Sequence, residues 1–209
     1  VHCSLLQELG CGSAIKGVCD SRFILLPFIQ NGIKKGRIKD MGNSMNPNME
    51  KIMKLHPEGI LLSPYENSGS YGKLGNMNIP IIECADYMEV SPLARAEWIK
   101  FYGLLFGKSE SAKSSFDWTR KRYLSIRNEV KKQHLHPKLL CERPMGGIWY
   151  VPGAKSTMGI LYQDAGARYP FNDNTQNGSV PKTFEQIMEL DGDADIWILK
   201  YASYRSITY

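Results

Sequence analysis

The sequence predicts an α/β protein of two lobes with mainly parallel sheets, joined by one long helix, and three observations carry that prediction. Two short apolar runs, 59–63 and 79–83, are separated by a helix-length segment, the spacing of parallel strands joined by a crossover. Residues 109–136 form a stretch whose apolar positions Ala112, Phe116, Tyr123, Ile126 and Val130 recur at spacings of three, four and seven, drawing one stripe down a helix. Beyond Pro137 the strand and helix pattern starts again. The boundaries this gives are an N-terminal lobe at 1–108, a connecting helix at 109–136 and a C-terminal lobe at 137–209.

Taken in order, residues 1–9 open on a helical pattern (Leu5, Leu6, Leu9) closed by Gly10. A short strand follows at 14–19, then a helix over 20–30 with Pro27 near its middle. Residues 38–48 read as loop, after which Pro47 takes the first position of a helix whose apolar face is Met49, Ile52, Met53 and Leu55. The strands at 59–63 and 79–83 flank a polar loop holding Gly69, Gly72 and Gly75, and 91–106 is an amphipathic helix leading into the long one. Ser109 is a candidate N-cap with Glu110 in the first turn, and Pro137 stops the run because it has no N–H and disfavours helix at His136. The face opposite the stripe carries Lys113, Arg120, Arg127, Lys131 and Lys132. At about 1.5 Å per residue such a helix spans roughly 40 Å, longer than packing in a small domain needs, so it reads as a strut. In the second lobe 138–142 is a strand, 156–164 and 184–190 are helices, and 195–199 is a strand. The first lobe lacks an opening strand and the second has only two clear strands, so the chain is expected to be incomplete at both ends.

With 209 residues, 43% of them apolar, the chain buries a real core and is not disordered. The formal charge of +5 is modest, and clusters such as Lys34, Lys35, Arg37 and Lys39 read as a solvated helix face, since no RNA-binding signature accompanies them. Nucleic acid is not an expected partner. Five cysteines (Cys3, Cys11, Cys19, Cys84, Cys141) fit neither a zinc site nor a thioredoxin motif and read as small, buried apolar side chains. No apolar run reaches eighteen residues and no signal peptide is present, as expected of a soluble or already processed chain.

Three motifs fall short of the chemistry they suggest. Gly42-Asn43-Ser44-Met45-Asn46 nears a nucleophile elbow but has Asn46 where that motif needs glycine. Gly10-Cys11-Gly12 ends a helix where a dinucleotide fingerprint would begin one. His2, His56, His134 and His136 have no metal spacing with carboxylates, so no metal held directly by protein is expected.

The segments 79–83, 89–101, 48–52 and 55–62 resemble the substrate-binding proteins of ABC importers for iron complexes and cobalamin. So do 149–153, 164–169, 184–187 and 193–197 in the second lobe, and the matches run in family order along nearly the whole chain. The resemblance implies two Rossmann-like lobes joined by one rigid helix, with the ligand in the cleft between them. It also implies a monomer without catalysis or a cofactor of its own, whose ligand is an iron chelate, haem or cobalamin. The implied partners are the permease subunits of the importer, and the implied location is the periplasm or otherwise outside the inner membrane. Any membrane attachment would be through a lipid anchor outside this chain. In that family a glutamate on each lobe docks into arginine pockets of the permease, and the matching positions here are Glu50 and Glu185, each early in a helix. The simpler role of such residues is to complement a helix dipole.

Ligands of open parallel sheets sit beyond the C-terminal ends of the strands. In the first lobe those ends carry Asp20, Ser21 and Arg22, then Asn43, Ser44 and Met45, then Ser63, Pro64, Tyr65 and Glu66, then Asp86 and Tyr87. In the second they carry Arg143, Trp149, Tyr150 and Lys155. Flat, partly apolar, charged ligands need aromatic faces for area and a few polar groups for orientation. The expected ligand contacts are therefore Arg22, Asn43, Ser44, Met45, Tyr65, Glu66, Tyr87, Arg143, Trp149 and Tyr150. Trp149 and Tyr150 serve equally as core residues, and Arg22 and Arg143 as partners of salt bridges between the lobes. The competing class is an enzyme whose cleft takes a nucleotide or sugar, and no acid, base and nucleophile set supports it.

Overall fold

A computed structural model describes residues 1–64, 72–171 and 178–199. By its contacts the chain divides into two compact units. The first holds the described part of Val1–Tyr87 and Tyr102–Ser109, and the second holds Met88–Phe101 and the described part of Glu110–Tyr201.

The first unit begins with α1 (His2–Glu8), and a 3-10 turn at Gly12–Ala14 leads into β1 (Gly17–Val18), shorter than the strand expected at 14–19. The helix expected over 20–30 is displaced: Ser21–Phe23 is a 3-10 turn and α2 is Pro27–Lys34. Pro27 opens α2 instead of sitting inside it, because the first helical position is where a missing N–H costs nothing. Residues 38–48 hold β2 (Lys39–Asp40), parallel to β1, and the antiparallel pair β3 (Gly42–Asn43) and β4 (Asn46–Pro47). Pro47 thus ends a strand, and Asn48 caps α3 (Met49–Leu55), its Oδ1 accepting from the Lys51 N–H at 2.9 Å. The parallel strands β5 (Ile60–Leu62) and β6 (Ile81–Glu83) pair Ile60 with Ile81. Val18, Ile29 and Ile38 form a core between α2 and the first strand pair.

Helix α4 (Pro92–Leu105) begins in the second unit and ends in the first. Helix α5 (Ser109–Val130) starts where expected but stops six residues before His136. Beyond Val130 the polar run offers no further side chain for the stripe. The Lys132 and Gln133 amides bond back only three residues, to Glu129 and Val130, and His136 Nδ1 is 3.0 Å from the Gly166 carbonyl. Of the stripe, Ala112 and Phe116 are buried, Tyr123 and Val130 half-buried, and Ile126 exposed. From Glu110 on, the contacts place α5 with the second unit, and its role as a strut stays an expectation of the sequence.

The second unit continues with β7 (Leu139–Cys141), β8 (Pro144–Met145), β9 (Ile148–Pro152), α6 (Thr157–Asp164), β10 (Ser179–Lys182), α7 (Phe184–Asp191) and β11 (Ile196–Ile198). β7 and β11 are parallel, whereas β10, β9 and β8 form an antiparallel sheet that the sequence reading did not contain. Gly146 and Gly147 turn β8 into β9 at φ +59° and +83°, the pair of positive angles a two-residue hairpin turn requires. Ser156 caps α6, and Thr183 with Gln186 forms a capping box on α7. Leu139, Cys141, Trp149, Val151, Tyr162, Tyr169, Phe171 and Ile187 make the core.

Candidate functional site

At the ends of β1 and β2 the backbone brings two short segments together. The parallel register sets Val18 against Asp40, so the turn at 20–23 and the hairpin at 42–46 emerge side by side. Asp20, at φ +50°, donates its N–H to the Gly42 carbonyl at 2.7 Å, and its Oδ2 accepts from the Ser44 N–H at 3.1 Å. Ser21 Oγ donates to Asp40 Oδ2 at 2.5 Å, and Asp40 Oδ1 accepts from the Gly42 N–H at 2.8 Å. These two donors, the Ser21 hydroxyl first, hold the Asp40 carboxyl below the usual aspartate range. Asn43 Oδ1 accepts from the Met45 N–H at 2.8 Å and fixes the hairpin tip. The Arg22 guanidinium lies 4.6 Å from the centroid of the exposed Phe23 ring. Met45, at the tip of the hairpin, is 71% exposed. Arg22, Asn43, Ser44 and Met45 therefore belong to one bonded assembly that also contains Phe23 and Asp40, two residues the sequence reading passed over. Phe23 directly follows Arg22 and was within reach of the sequence, whereas Asp40 lies three residues before Asn43 and joins the group only through its bonds to Ser21 and Gly42.

The ends of β5 and β6 form a second group. Tyr87 donates its hydroxyl to the Pro64 carbonyl, joining the two strand ends. His2 bridges them to α4, with Nδ1 against the Tyr102 hydroxyl and Nε2 3.3 Å from Ser63 Oγ. Burial holds the His2 imidazole below its ordinary pKa against the opposing pull of Asp86. Tyr65 and Glu66 lie outside the described residues.

In the second unit Arg143 is exposed just after β7, where Glu142 turns the chain at φ +67°. Trp149 and Tyr150 are neighbours on β9 and point to opposite faces, as strand alternation requires. Trp149 is buried in the core, its indole N–H donating to the Cys141 carbonyl at 2.9 Å and its ring 6.1 Å from that of Trp197. Tyr150 is the exposed aromatic of the pair. Lys155 is exposed between β9 and α6.

The two glutamates stand in equivalent local settings. Glu50 is in the first turn of α3, its side chain 72% exposed and paired with Lys54 at 2.7 Å. Glu185 is in the first turn of α7, exposed, its carboxyl held below the usual glutamate range by its own backbone N–H and the Thr183 hydroxyl. Among the described residues no group of three or more His, Cys, Asp or Glu side chains could hold a metal ion.

The family model described as periplasmic binding protein matches residues 28–202. The chain belongs to the periplasmic binding protein family. An uncharacterized lipoprotein of Methanocaldococcus jannaschii is 30% identical over 176 residues, 82% of this chain and 42% of the relative. The chain spans less than half the length of the curated relatives it matches. Among solved structures, a possible iron-binding (periplasmic solute-binding) protein from Staphylococcus epidermidis is 23% identical with a TM-score of 0.70, over 95% of this chain and 73% of that one. The periplasmic haem-binding protein HutB of Vibrio cholerae is 16% identical with a TM-score of 0.71, over 94% and 71%. These likenesses fix the fold as that of a two-lobe periplasmic binding protein with helices and parallel sheets. The family is one of substrate-binding proteins outside the cytoplasm and not of enzymes, which removes the nucleotide or sugar enzyme. No helix among the described residues is long and apolar enough to cross a membrane.

Proposed function

We propose that the protein is the substrate-binding component of an ABC importer, capturing an iron chelate, haem or cobalamin outside the inner membrane and delivering it to the permease. The observation that carries this reading is the bonded assembly at the ends of β1 and β2, within a chain of this family. It sets a cation, an aromatic face, a thioether and amide groups side by side where ligands of parallel sheets bind. The iron-binding and haem-binding names carried by proteins of the same fold support the ligand class.

In this reading Arg22, Asn43, Ser44, Met45 and Tyr87 from the first unit, and Arg143 and Tyr150 from the second, contact the ligand. Tyr65 and Glu66 are assigned with them from the sequence. Trp149 acts from the core, holding β9 so that Tyr150 faces outward. Glu50 and Glu185 dock on the permease, a role their exposure suits, since charge-assisted carboxylate to arginine pairs give orientation as well as attraction. The protein acts as a monomer, with membrane attachment through a lipid anchor of the kind named in the archaeal relative.

Gentle purification from the source, followed by absorbance spectra and mass spectrometry, tests this. A co-purifying iron chelate, haem or corrinoid is expected. A ligand of another class, a sugar or a peptide for example, would overturn the assignment.

A further inference from the structure

Helix α7 is held to the second unit by two fully buried side chains on its inner face, Ile187 and Asp191. An aliphatic anchor needs no explanation. A carboxylate does, because Asp191 is 1% exposed and neither of its oxygens has a hydrogen-bond partner among the described residues. Buried carboxylates without partners are rare, since ionisation there forfeits hydration that nothing replaces.

The neighbouring cations offset this only in part. Lys138 and Arg168 both face Asp191, from the start of β7 and from the segment bridged to it, and both favour the charged form. The Lys138 ammonium, however, bonds Asp193 and makes no hydrogen bond to Asp191, and its backbone N–H donates to Asp195 Oδ2 at 2.7 Å. Arg168 is exposed to solvent. Asp193, on the turn that follows α7, adds a like charge. The Tyr169 hydroxyl, in the adjoining core, donates to the Pro152 carbonyl at 2.6 Å and stays neutral because burial raises its pKa.

We infer that Asp191 is a proton-sensitive anchor, which holds α7 against the sheet when neutral and loosens it when ionised. Burial, the largest influence, pushes its carboxyl up from the ordinary 3.8 to about 6. The sign follows from that direction. The docked helix binds the proton more tightly than the detached one, so anchorage is complete below the ordinary aspartate pKa and is lost as pH rises through about 6. A displacement of that size corresponds to about a hundredfold in the docking equilibrium of the helix. Because Glu185 lies in the first turn of α7, the same proton would set how firmly that carboxylate is presented. This last step rests on the docking role proposed for Glu185, whereas the anchor is tested without reference to it.

Hydrogen exchange of the α7 amides, corrected for intrinsic rates, reads the anchor in the whole protein between pH 7.5 and pH 5. In the wild type, α7 exchange should slow at least tenfold on acidification while α6 stays constant. In Asp191→Asn, the neutral isostere, it should be slow at pH 7.5 and independent of pH. Exchange from wild-type α7 that does not change with pH, or an Asp191→Asn variant that follows the wild-type profile, would overturn the inference. Carbon-13 titration of the wild-type Asp191 carboxyl decides the matter even if the variant does not fold. A midpoint near 6 is expected, and one at or below the ordinary aspartate value refutes it.

Discussion

Tyr123 on α5 donates its hydroxyl to Asp164 Oδ2 on α6 at 2.7 Å, and Arg127, one turn further along α5, brings Nε to 2.9 Å from the other oxygen. One half-buried carboxylate thus ties the long helix to the helix that follows the antiparallel sheet. Tyr123 titrates well above an ordinary tyrosine, chiefly through burial, so it remains a donor at any pH the protein meets. Tyr123→Phe should cost about 1.5–3 kcal/mol, a single hydrogen bond to a charged acceptor that keeps its arginine. Asp164→Ala should cost more, because it strands both partners. Urea denaturation of the two variants measures the difference, and equal costs would show that Arg127 contributes nothing through Asp164.

Trp149 and Tyr150 test how strand alternation divides structural from binding work. Trp149→Ala removes a buried ring and should cost about 3–5 kcal/mol. Tyr150→Ala should cost under about 1 kcal/mol, since its side chain is 45% exposed, while weakening ligand binding. Denaturation and ligand titration on the same pair of variants provide the check.

Ser21→Ala should release the Asp40 carboxyl. Its depressed pKa means that the contribution of this group to stability is present above the ordinary aspartate value and fades as pH falls through the lowered one. Without the Ser21 hydroxyl the midpoint should move up toward the ordinary value, and the turn at 20–23 should loosen from the hairpin. Carboxyl carbon-13 titration reads the first effect, and ligand affinity the second.

How far the sequence reached depended on whether the signal was local. Strands β5, β6, β7 and β11 and helices α3, α6 and α7 were read to within a few residues, because apolar runs, caps and breakers mark them within their own segments. The displaced start of α2 was a failure to use the one rule that Pro27 states plainly, its suitability at a first helical position. The hairpin of β8 and β9 carried a local signal, Gly146-Gly147, that went unread between two stronger segments. The end of α5 was not legible, since it is set partly by the contact of His136 with Gly166, thirty residues away. At the site, the residue types at strand ends were legible while their bonding was not, because Asp20 meets Ser44 only after the β1 and β2 register is fixed.

Glu50→Ala combined with Glu185→Ala should leave ligand affinity nearly unaltered, since both side chains are exposed in the first turns of their helices. Uptake by cells carrying the importer should fall more than tenfold, because each charged pair desolvated on docking contributes about 2 kcal/mol. Transport at the wild-type rate would remove the docking role.

Calorimetric titration of the wild-type protein with haem, ferric siderophores and cobalamin tests the central claim most directly. Saturable one-to-one binding of at least one of them is expected, with a Kd of about 1 μM or tighter, equivalent to about 8 kcal/mol. Arg22→Ala should weaken that binding by about tenfold, as loss of one oriented charge requires. No saturable binding across the three ligand classes, or binding indifferent to Arg22, Tyr87 and Tyr150 alike, would contradict the assignment.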